Sequence, residues 1–544
     1  MSVNRQAVRV EPMVHAPTAR EALTRNVGFD MLARAGYVVS RVFIPPFVLA
    51  RVGLASYSLW SAVFIVVSYL GISSLGFSAA YVKCVAENVA RGEERRANAL
   101  LSTGLFLCLV VCGGLFGLLF LGLHTVLAWF NVPGSLRDEA RDVILLVAGI
   151  HTCSIIFSVF EQTLAGCQKV AEVQAIWVVS YLVEAILIFV LVGTGHGVLG
   201  LAEAFVIRSI ISIVLSIYLA YRMAPWLHIS PRLCTRSALH ELLSFGGVVQ
   251  LVALLSTALN TVERVIAAPL IGLEAVGLMD LADKLPSTAA YIPTAFATSL
   301  VPTAAYLRSG LGETEHGRET ITKLYLKSSR YMNFASSAVA GFLAMAAAPV
   351  LRVWIGKMFP GMIYLMTIFA VQQHMHLSTG PGTSILKGLG RPWEEYIYTV
   401  TNIVAVAIII PLSRILFGGW SAVELGTAVV AATAISAFIF IARANYLFKV
   451  SWLRYLTYVI APGILPYAIA GLLISPFWEA MVYGGRWRAA AILAAVGIFY
   501  SAVLLVAIDR LVLELDERAW FRGVVAQWSG YNPTGPGRGN VVRC

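Results

Sequence analysis

Charge is scarce in this chain. Asp, Glu, Lys and Arg make up 13% of its 544 residues, about half the share usual in soluble globular proteins. Nothing resembling a phosphate-binding Gly-rich loop with its Lys is present, and no stretch between the apolar runs is long enough for a nucleotide-hydrolysing domain. The seven cysteines, Cys84, Cys108, Cys112, Cys153, Cys167, Cys234 and Cys544, are scattered, mostly inside apolar runs, with no CxxC and no Cys/His cluster. That excludes a disulfide framework and a zinc site of the familiar spacings. Cys108 and Cys112 share a helix face and read as small packing residues. His374 and His376 are two apart, so they fall on different faces of one helix and do not suit a shared metal. No cofactor and no metal is expected.

What is abundant is hydrocarbon. Hydrophobic residues account for 58% of the chain and mean hydropathy is +0.79, as in an integral membrane protein. Apolar runs of roughly 20 residues suit membrane-crossing helices. Fourteen are expected, at 29–50, 55–75, 99–123, 143–165, 172–193, 197–220, 242–267, 275–301, 331–351, 359–385, 394–413, 421–441, 455–476 and 488–508. The first lacks a small-residue cleavage site and reads as a retained span. The domains that follow are a cytoplasmic tail (1–28), an N-terminal helical bundle (29–220) and a cytoplasmic linker (221–241). A C-terminal bundle (242–450), two additional spans (451–508) and a cytoplasmic tail (509–544) complete the chain.

The net charge of +11 would suggest nucleic acid in a soluble protein. Here it follows the positive-inside rule, and no nucleic-acid partner is expected. With the N-terminus in the cytoplasm, only Arg51, Arg137, Arg141, Arg352, Lys357, Arg414, Arg486 and Arg488 fall in external segments. Five cations lie inside spans, and all the rest are cytoplasmic. An error in the span count would scramble that alternation, so both termini are assigned to the cytoplasm. The segments around 76–98 and 302–330 are charged and amphipathic, which suits the anionic cytoplasmic leaflet.

Two echoes suggest an internal duplication. Gly53-Leu54-Ala55-Ser56-Tyr57-Ser58-Leu59 returns as Gly272-Leu273-Glu274-Ala275-Val276-Gly277-Leu278, and Ser78-Ala79-Ala80-Tyr81 as Thr303-Ala304-Ala305-Tyr306. The halves would then be parallel repeats around a central cavity.

An ionisable group at the bilayer centre costs roughly 2.5–3.5 kcal/mol on insertion scales, so each one asks for a reason. At ~1.5 Å per residue, Arg41, Arg208 and Glu184 lie near the middle of their spans. Arg34 is shallower and can reach the interface along its stem. Glu263, Arg264, Asp280, Asp283 and Lys284 lie toward the outer side, with Asp280 and Lys284 one helical turn apart and able to pair. Glu161 and Glu203 complete the set. Ion pairing between packed helices accounts for some of these residues. Their concentration in spans one and four to eight points further, to a polar cavity. A guanidinium presents a fork of donors matched to phosphate or carboxylate, so Arg41, Arg208, Arg264 and Lys284 are candidate substrate-binding residues for an anionic ligand. Glu161, Glu184, Glu203, Glu263, Asp280 and Asp283 either take up a coupling proton or sodium ion or neutralise the arginines. Both readings stand at this level. Pro45 and Pro46, expected to interrupt span one, and Pro286 and Pro293 in span eight are candidate hinges, because proline removes a helix hydrogen bond.

The opening IPPFVLARVGLASYSLWSAVFIVVSYLGISSLGFSAAYVKCVAENVARGEE resembles the Wzx-type polysaccharide flippases of the MOP transporter superfamily. So do FEQTLAGCQKV at 160–170, LLSFGGVVQLVALLSTALNTVERVIAAPLIGLEAVGLMDLADKL at 242–285, ATSLVPTAAYL at 297–307 and GPGTSILKGLGRP at 380–392. One departure is Glu263, where that resemblance leads one to expect Asp. The resemblance implies an all-α polytopic membrane protein of about 14 transmembrane helices in two bundles around a cationic cavity. It also implies movement of a polyprenyl-diphosphate-linked oligosaccharide across the bacterial inner membrane by alternating access, without enzymatic chemistry. Partners would be the lipid bilayer and a polysaccharide polymerase and export machinery. A cation-coupled multidrug exporter is the nearest alternative. A membrane polysaccharide polymerase or glycosyltransferase is a third, which would need a larger external segment than 124–142.

The charge pattern makes a direct prediction. Green fluorescent protein fused after the last residue is expected to fluoresce, and alkaline phosphatase fused after Leu136 is expected to be active. The opposite pair of results would invert the topology.

Overall fold

A computed structural model describes residues 19–71, 77–312, 314–514, 517 and 518, and the tails expected at 1–28 and 509–544 lie largely outside them. Among these residues the chain is helical throughout, with no strand. In order the helices are α1 (Ala19–Leu70), α2 (Phe77–Ala90), α3 (Glu94–Leu121), α4 (Leu123–Trp129), α5 (Arg137–Gly166), α6 (Val170–Gly193), α7 (Gly197–Met223) and α8 (Arg236–Leu270). Then come α9 (Leu273–Ala289), α10 (Tyr291–Leu311), α11 (Glu315–Met345), α12 (Ala347–Trp354), α13 (Met362–Gly388), α14 (Glu395–Phe417) and α15 (Ala422–Leu447). The last are α16 (Trp452–Tyr455), α17 (Ala461–Ile474), α18 (Trp478–Val482) and α19 (Arg486–Ala507). Nine helices among the described residues are long and apolar enough to cross a membrane, or ten if α11 and α12, bent by 74°, form one span. Fourteen is therefore an approximate count. The chain divides into two compact units within α8, between Ala258 and Leu259.

α1 is two helices joined at one residue. Gly53, with φ 81° and ψ 175°, is the one non-helical position in it. Phe47 packs on Phe189 with ring centroids 4.7 Å apart, and Phe64 packs on Phe205 at 5.7 Å. α6 and α7 meet at the tight turn Thr194–His196, with Phe189 five residues before it and Phe205 nine after it, a difference in height of only ~6 Å. A straight helix would separate Phe47 from Phe64 by ~25 Å. The chain therefore turns back at Gly53, running up α6 and then down α7, as the two-span reading of this region required. Only glycine accepts such a φ without strain. The interruption expected at Pro45–Pro46 is corrected: the chain stays helical through both prolines. Their fixed φ suits a helix, and what they remove are the bonds to the carbonyls of Arg41 and Val42.

The duplication is visible in the elements. Gly272, the partner of Gly53 in the repeat, has φ 130° and ψ 173° and sits between α8 and α9 as Gly53 sits inside α1. α5, α6 and α7 start at Arg137, Val170 and Gly197, while α13, α14 and α15 start at Met362, Glu395 and Ala422. Each pair is 225 residues apart, the offset of the second sequence echo. The packing repeats too. A Cβ on Gly166, at the end of α5, would lie 2.6 Å from Val85 Cβ in α2. A Cβ on Gly388, at the end of α13, would lie 2.8 Å from Ala304 Cβ in α10 and collide with the Val301 carbonyl. In each unit a glycine lets the corresponding helix cross in contact with the backbone.

The first unit ends in a strapped linker. From α3, Asn98 Nδ2 donates to Trp226 O at 2.8 Å, and Asn98 Oδ1 accepts from His228 N at 2.9 Å. Ser102 and Thr103 accept from the backbone N–H groups of Ser230 and Thr235. In the second unit the last helices are pinned to α11 and α12. Asn333 Nδ2 donates to Val459 O at 3.0 Å, at the π-helical turn Leu456–Ile460. At the opposite end Arg352 donates to Val482 O at 2.7 Å, and Arg486 donates twice to Val353 O, at 2.9 and 3.1 Å. Phe334, Tyr467 and Tyr500 form the aromatic core between them.

Gly388→Ala is expected to destabilise the protein by about 1–3 kcal/mol, because the obstacle is backbone and cannot swing aside. Gly497→Ala, with nothing within 4 Å, is expected to be neutral or slightly stabilising. Thermal melts in detergent that show no difference between the two would remove the close crossing of α10 and α13.

Candidate functional site

Most of the charged residues predicted inside spans form one cluster in each unit, and the two clusters are built differently.

In the first unit, α6 and α7 bring together Glu184 and Arg208. Arg208 Nε lies 3.3 Å from Glu184 Oε2, with the side chains 19% and 12% exposed. The Arg208 guanidinium carbon also stands 5.0 Å from the Tyr181 ring centroid and 4.6 Å from that of Phe205. Such cation–π contacts strengthen when water is excluded. Tyr181 in turn stacks on Trp177, at 4.0 Å and 28°. Glu161 and His151 on α5 lie within electrostatic range of Arg208. Arg41 is half-buried on α1, which packs along α6. Arg41 precedes Phe47 by six residues and Glu184 precedes Phe189 by five, about 9 and 7.5 Å along their helices. Since α1 and α6 climb together to Gly53 and Gly193, Arg41 stands level with the Arg208–Glu184 pair. Glu203, half-buried on α7, joins neither cluster among the described residues.

In the second unit, α8 and α9 hold a closed ionic network. Arg264 Nη1 donates to Asp280 Oδ1 at 2.9 Å, and its Nε donates to Glu263 Oε1 at 3.3 Å. Lys284 Nζ lies 2.8 Å from Asp280 Oδ2, the one-turn pairing expected from their spacing. Asp283 Oδ1 accepts from Gln373 Nε2 of α13 at 3.2 Å. Glu263 and Asp280 are buried, at 6% and 7% exposure. Three carboxylates thus face two cations across helices that meet at Gly272. Buried charges are tolerated when paired and hydrogen-bonded in this way.

The proline positions are split as well. Pro286 and Pro293, both buried, flank Ala290, where α9 gives way to α10. Pro293 cannot donate to the Ala289 carbonyl, and the helix ladder lapses there. Next to this break lies a small cavity bordered by Pro286, Ala290, Ser336, Gln373 and His374. His374 Nδ1 is 2.8 Å from Ser336 Oγ.

Sequence reasoning missed Trp177, Tyr181, Phe205 and Gln373. The first two were within reach: Trp177, Tyr181 and Glu184 follow at spacings of four and three, which puts two large aromatics on the flank of an intramembrane carboxylate. Phe205 and Gln373 come from other helices, and only the packing brings them in. Among the described residues no group of His, Cys, Asp and Glu is arranged to hold a metal ion.

Comparison with known proteins adds to this geometry. Residues 24–307 match the family described as polysaccharide biosynthesis protein. No curated protein sequence matches the chain. Among solved structures, the inward closed conformation of the lipid II flippase MurJ superposes with a TM-score of 0.63 at 13% identity, covering 92% of this chain and 99% of that one. The inward-facing conformation of a multidrug resistance MATE family transporter of the MOP superfamily gives 0.62 at 14%, covering 79% and 98%. A MOP superfamily transporter from Pyrococcus furiosus, whose binding pocket is described as of reverse polarity, gives 0.57 at 14%, covering 79% and 96%. At these identities the likeness is one of fold: a multi-pass membrane protein with the helical architecture of the MOP transporters.

The two kinds of contact in the second-unit network separate two substitutions. Asp280→Ala removes the carboxylate that Arg264 and Lys284 share and is expected to cost about 3–5 kcal/mol. Asp283→Ala loses only the amide of Gln373 as a direct partner and is expected to cost less than half as much. Equal melting shifts for the two variants would contradict this hierarchy.

Proposed function

The chain belongs to the polysaccharide biosynthesis protein family, and from that membership we propose that it flips a polyprenyl-diphosphate-linked oligosaccharide from the cytoplasmic to the periplasmic face of the bacterial inner membrane, by alternating access. The observation that carries the reading is the state of Arg208. Its guanidinium is held by two aromatic rings and a single carboxylate oxygen. A guanidinium carries five N–H donors, so the end turned away from Glu184 remains able to take a phosphate or acidic sugar. Arg41, at the same level, adds a second positive charge. Arg264 and Lys284 are committed to carboxylates, and their part is to keep α8 and α9 together; direct substrate contact falls to Arg208 and Arg41. The lipid tail stays in the bilayer while the diphosphate and sugar pass the arginines. The carboxylates Glu161 and Glu184 balance the arginines when substrate is absent or take up the coupling proton or sodium ion. Pro286 and Pro293, at the break between α9 and α10, are the bending points we assign to the second unit. Residues 29–220 and 242–450 act as the two moving bundles. The protein performs no covalent chemistry in this account, and a polysaccharide polymerase and export machinery would receive the flipped product.

One observation favours a second reading. The second-unit network has more carboxylates than cations, which suits a lipophilic cation, the ligand class of a multidrug exporter.

The test is flipping of a fluorescent polyprenyl-diphosphate oligosaccharide in proteoliposomes. Arg208→Ala is expected to slow flipping about tenfold or more, as befits the loss of a charge-assisted hydrogen bond, with some loss of melting temperature because Glu184 is left without its cation. Arg41→Ala should slow it less. Unchanged flipping by both variants would sink the assignment. No flipping by the unaltered protein, with proton- or sodium-driven uptake of organic cations instead, would establish the exporter.

A further inference from the structure

Trp177 has no part in the reading above, yet it is the outermost member of the Arg208 cluster. On α6 the exposed large side chains are Val179, Leu182, Ile186, Phe189 and Val190. At 100° per residue they form one stripe, which faces hydrocarbon. Trp177 and Tyr181 lie on the opposite side, roughly 170° and 130° round from the centre of that stripe. Membrane-interface aromatics point toward lipid near helix ends. Trp177 does neither: it faces away from the lipid stripe, about 10 Å inside α6. It is also only partly covered.

The order of groups along α6 is informative. From the end that the charge pattern places in the cytoplasm come Gln174, Trp177, Tyr181 and Glu184, with Arg208 reaching across from α7 to Tyr181 and Glu184. An amide, a stacked aromatic pair and a guanidinium are thus met in turn over about 15 Å. That distance matches a diphosphate with one or two sugar rings attached. A pyranose ring presents a face of C–H groups that packs flat on an aromatic ring, while its hydroxyls need polar neighbours at the edge.

We propose that Trp177 and Tyr181 are a stacking platform for the pyranose rings of the substrate, placed so that Arg208 holds the adjoining anionic group. This rests on the flippase reading and assigns its sugar contact. Trp177 contacts sugar directly. Tyr181 has two roles, because it also positions Arg208. A platform of this kind recognises that a sugar is present more than which sugar it is, since every pyranose has a C–H face.

The experiment measures binding to the purified full-length protein in detergent. The probes are a farnesyl-diphosphate-linked disaccharide and farnesyl diphosphate without sugar. Trp177→Leu keeps apolar bulk and removes the ring, whereas Trp177→Phe keeps a ring. Trp177→Leu is expected to weaken disaccharide-probe binding about tenfold, with Trp177→Phe within about threefold of the unaltered protein. Neither should change affinity for farnesyl diphosphate. Arg208→Ala should weaken both probes. If Trp177→Leu leaves the disaccharide probe unaffected, or weakens both probes alike, the platform is overturned while the flippase reading stands. Failure of the unaltered protein to bind either probe would overturn the flippase reading, and the platform with it.

Discussion

An ionised side chain in hydrocarbon must be met by an opposite charge, a hydrogen-bond donor or acceptor, or a polarisable face, because water is not there to meet it. The arrangement of this molecule depends on that constraint. The second unit satisfies it fully: Arg264, Lys284, Glu263 and Asp280 are joined at 2.8–3.3 Å, and Asp283 takes an amide from Gln373. The first unit satisfies it in part, with aromatic rings for Arg208 and a single contact from Glu184. Rings stabilise a cation without using up its donors. The ion pair with Glu184 leaves part of the guanidinium's fork of N–H donors unused by that carboxylate.

The duplication explains how two different solutions share one scaffold. Gly53 and Gly272 make the same reversal, and Gly166 and Gly388 make the same close crossing. These are backbone requirements, so they tolerate divergence of every side chain around them. Charge was then free to settle differently in each half, between α6 and α7 in the first and between α8 and α9 in the second. The helices beyond α15 are held to the second unit at both ends, by Asn333 on one side and the exchange between Arg352 and Arg486 on the other. Each of these contacts ties a side chain to a backbone carbonyl freed at a helix end or at a π turn, where the regular ladder leaves acceptors over.

The fold was legible because its determinants are local. Hydropathy and the placement of Lys and Arg follow from the bilayer, a solvent common to every residue, so they appear in the sequence without any contact being known. The repeat was legible for a related reason, since a glycine needed for its φ leaves the same mark each time. The proline at span one was misjudged because composition does not say whether a helix absorbs a missing hydrogen bond or breaks at it. Pro45 and Pro46 leave α1 helical, while Pro293 stands beside the break at Ala290.

The sequence by itself determined that this is a helical membrane protein, built twice over, with arginines and carboxylates at depths where only a partner or a ligand explains them. The solvent imposes that information residue by residue. Tertiary structure alone decided which partners each charge meets. Arg264 and Arg208 look alike in the sequence, each in an apolar run near a carboxylate. One meets Asp280 from the next helix, and the other meets the rings of Tyr181 and Phe205. The difference lies in how helices rotate against one another, and periodicity within a single helix carries no record of that rotation.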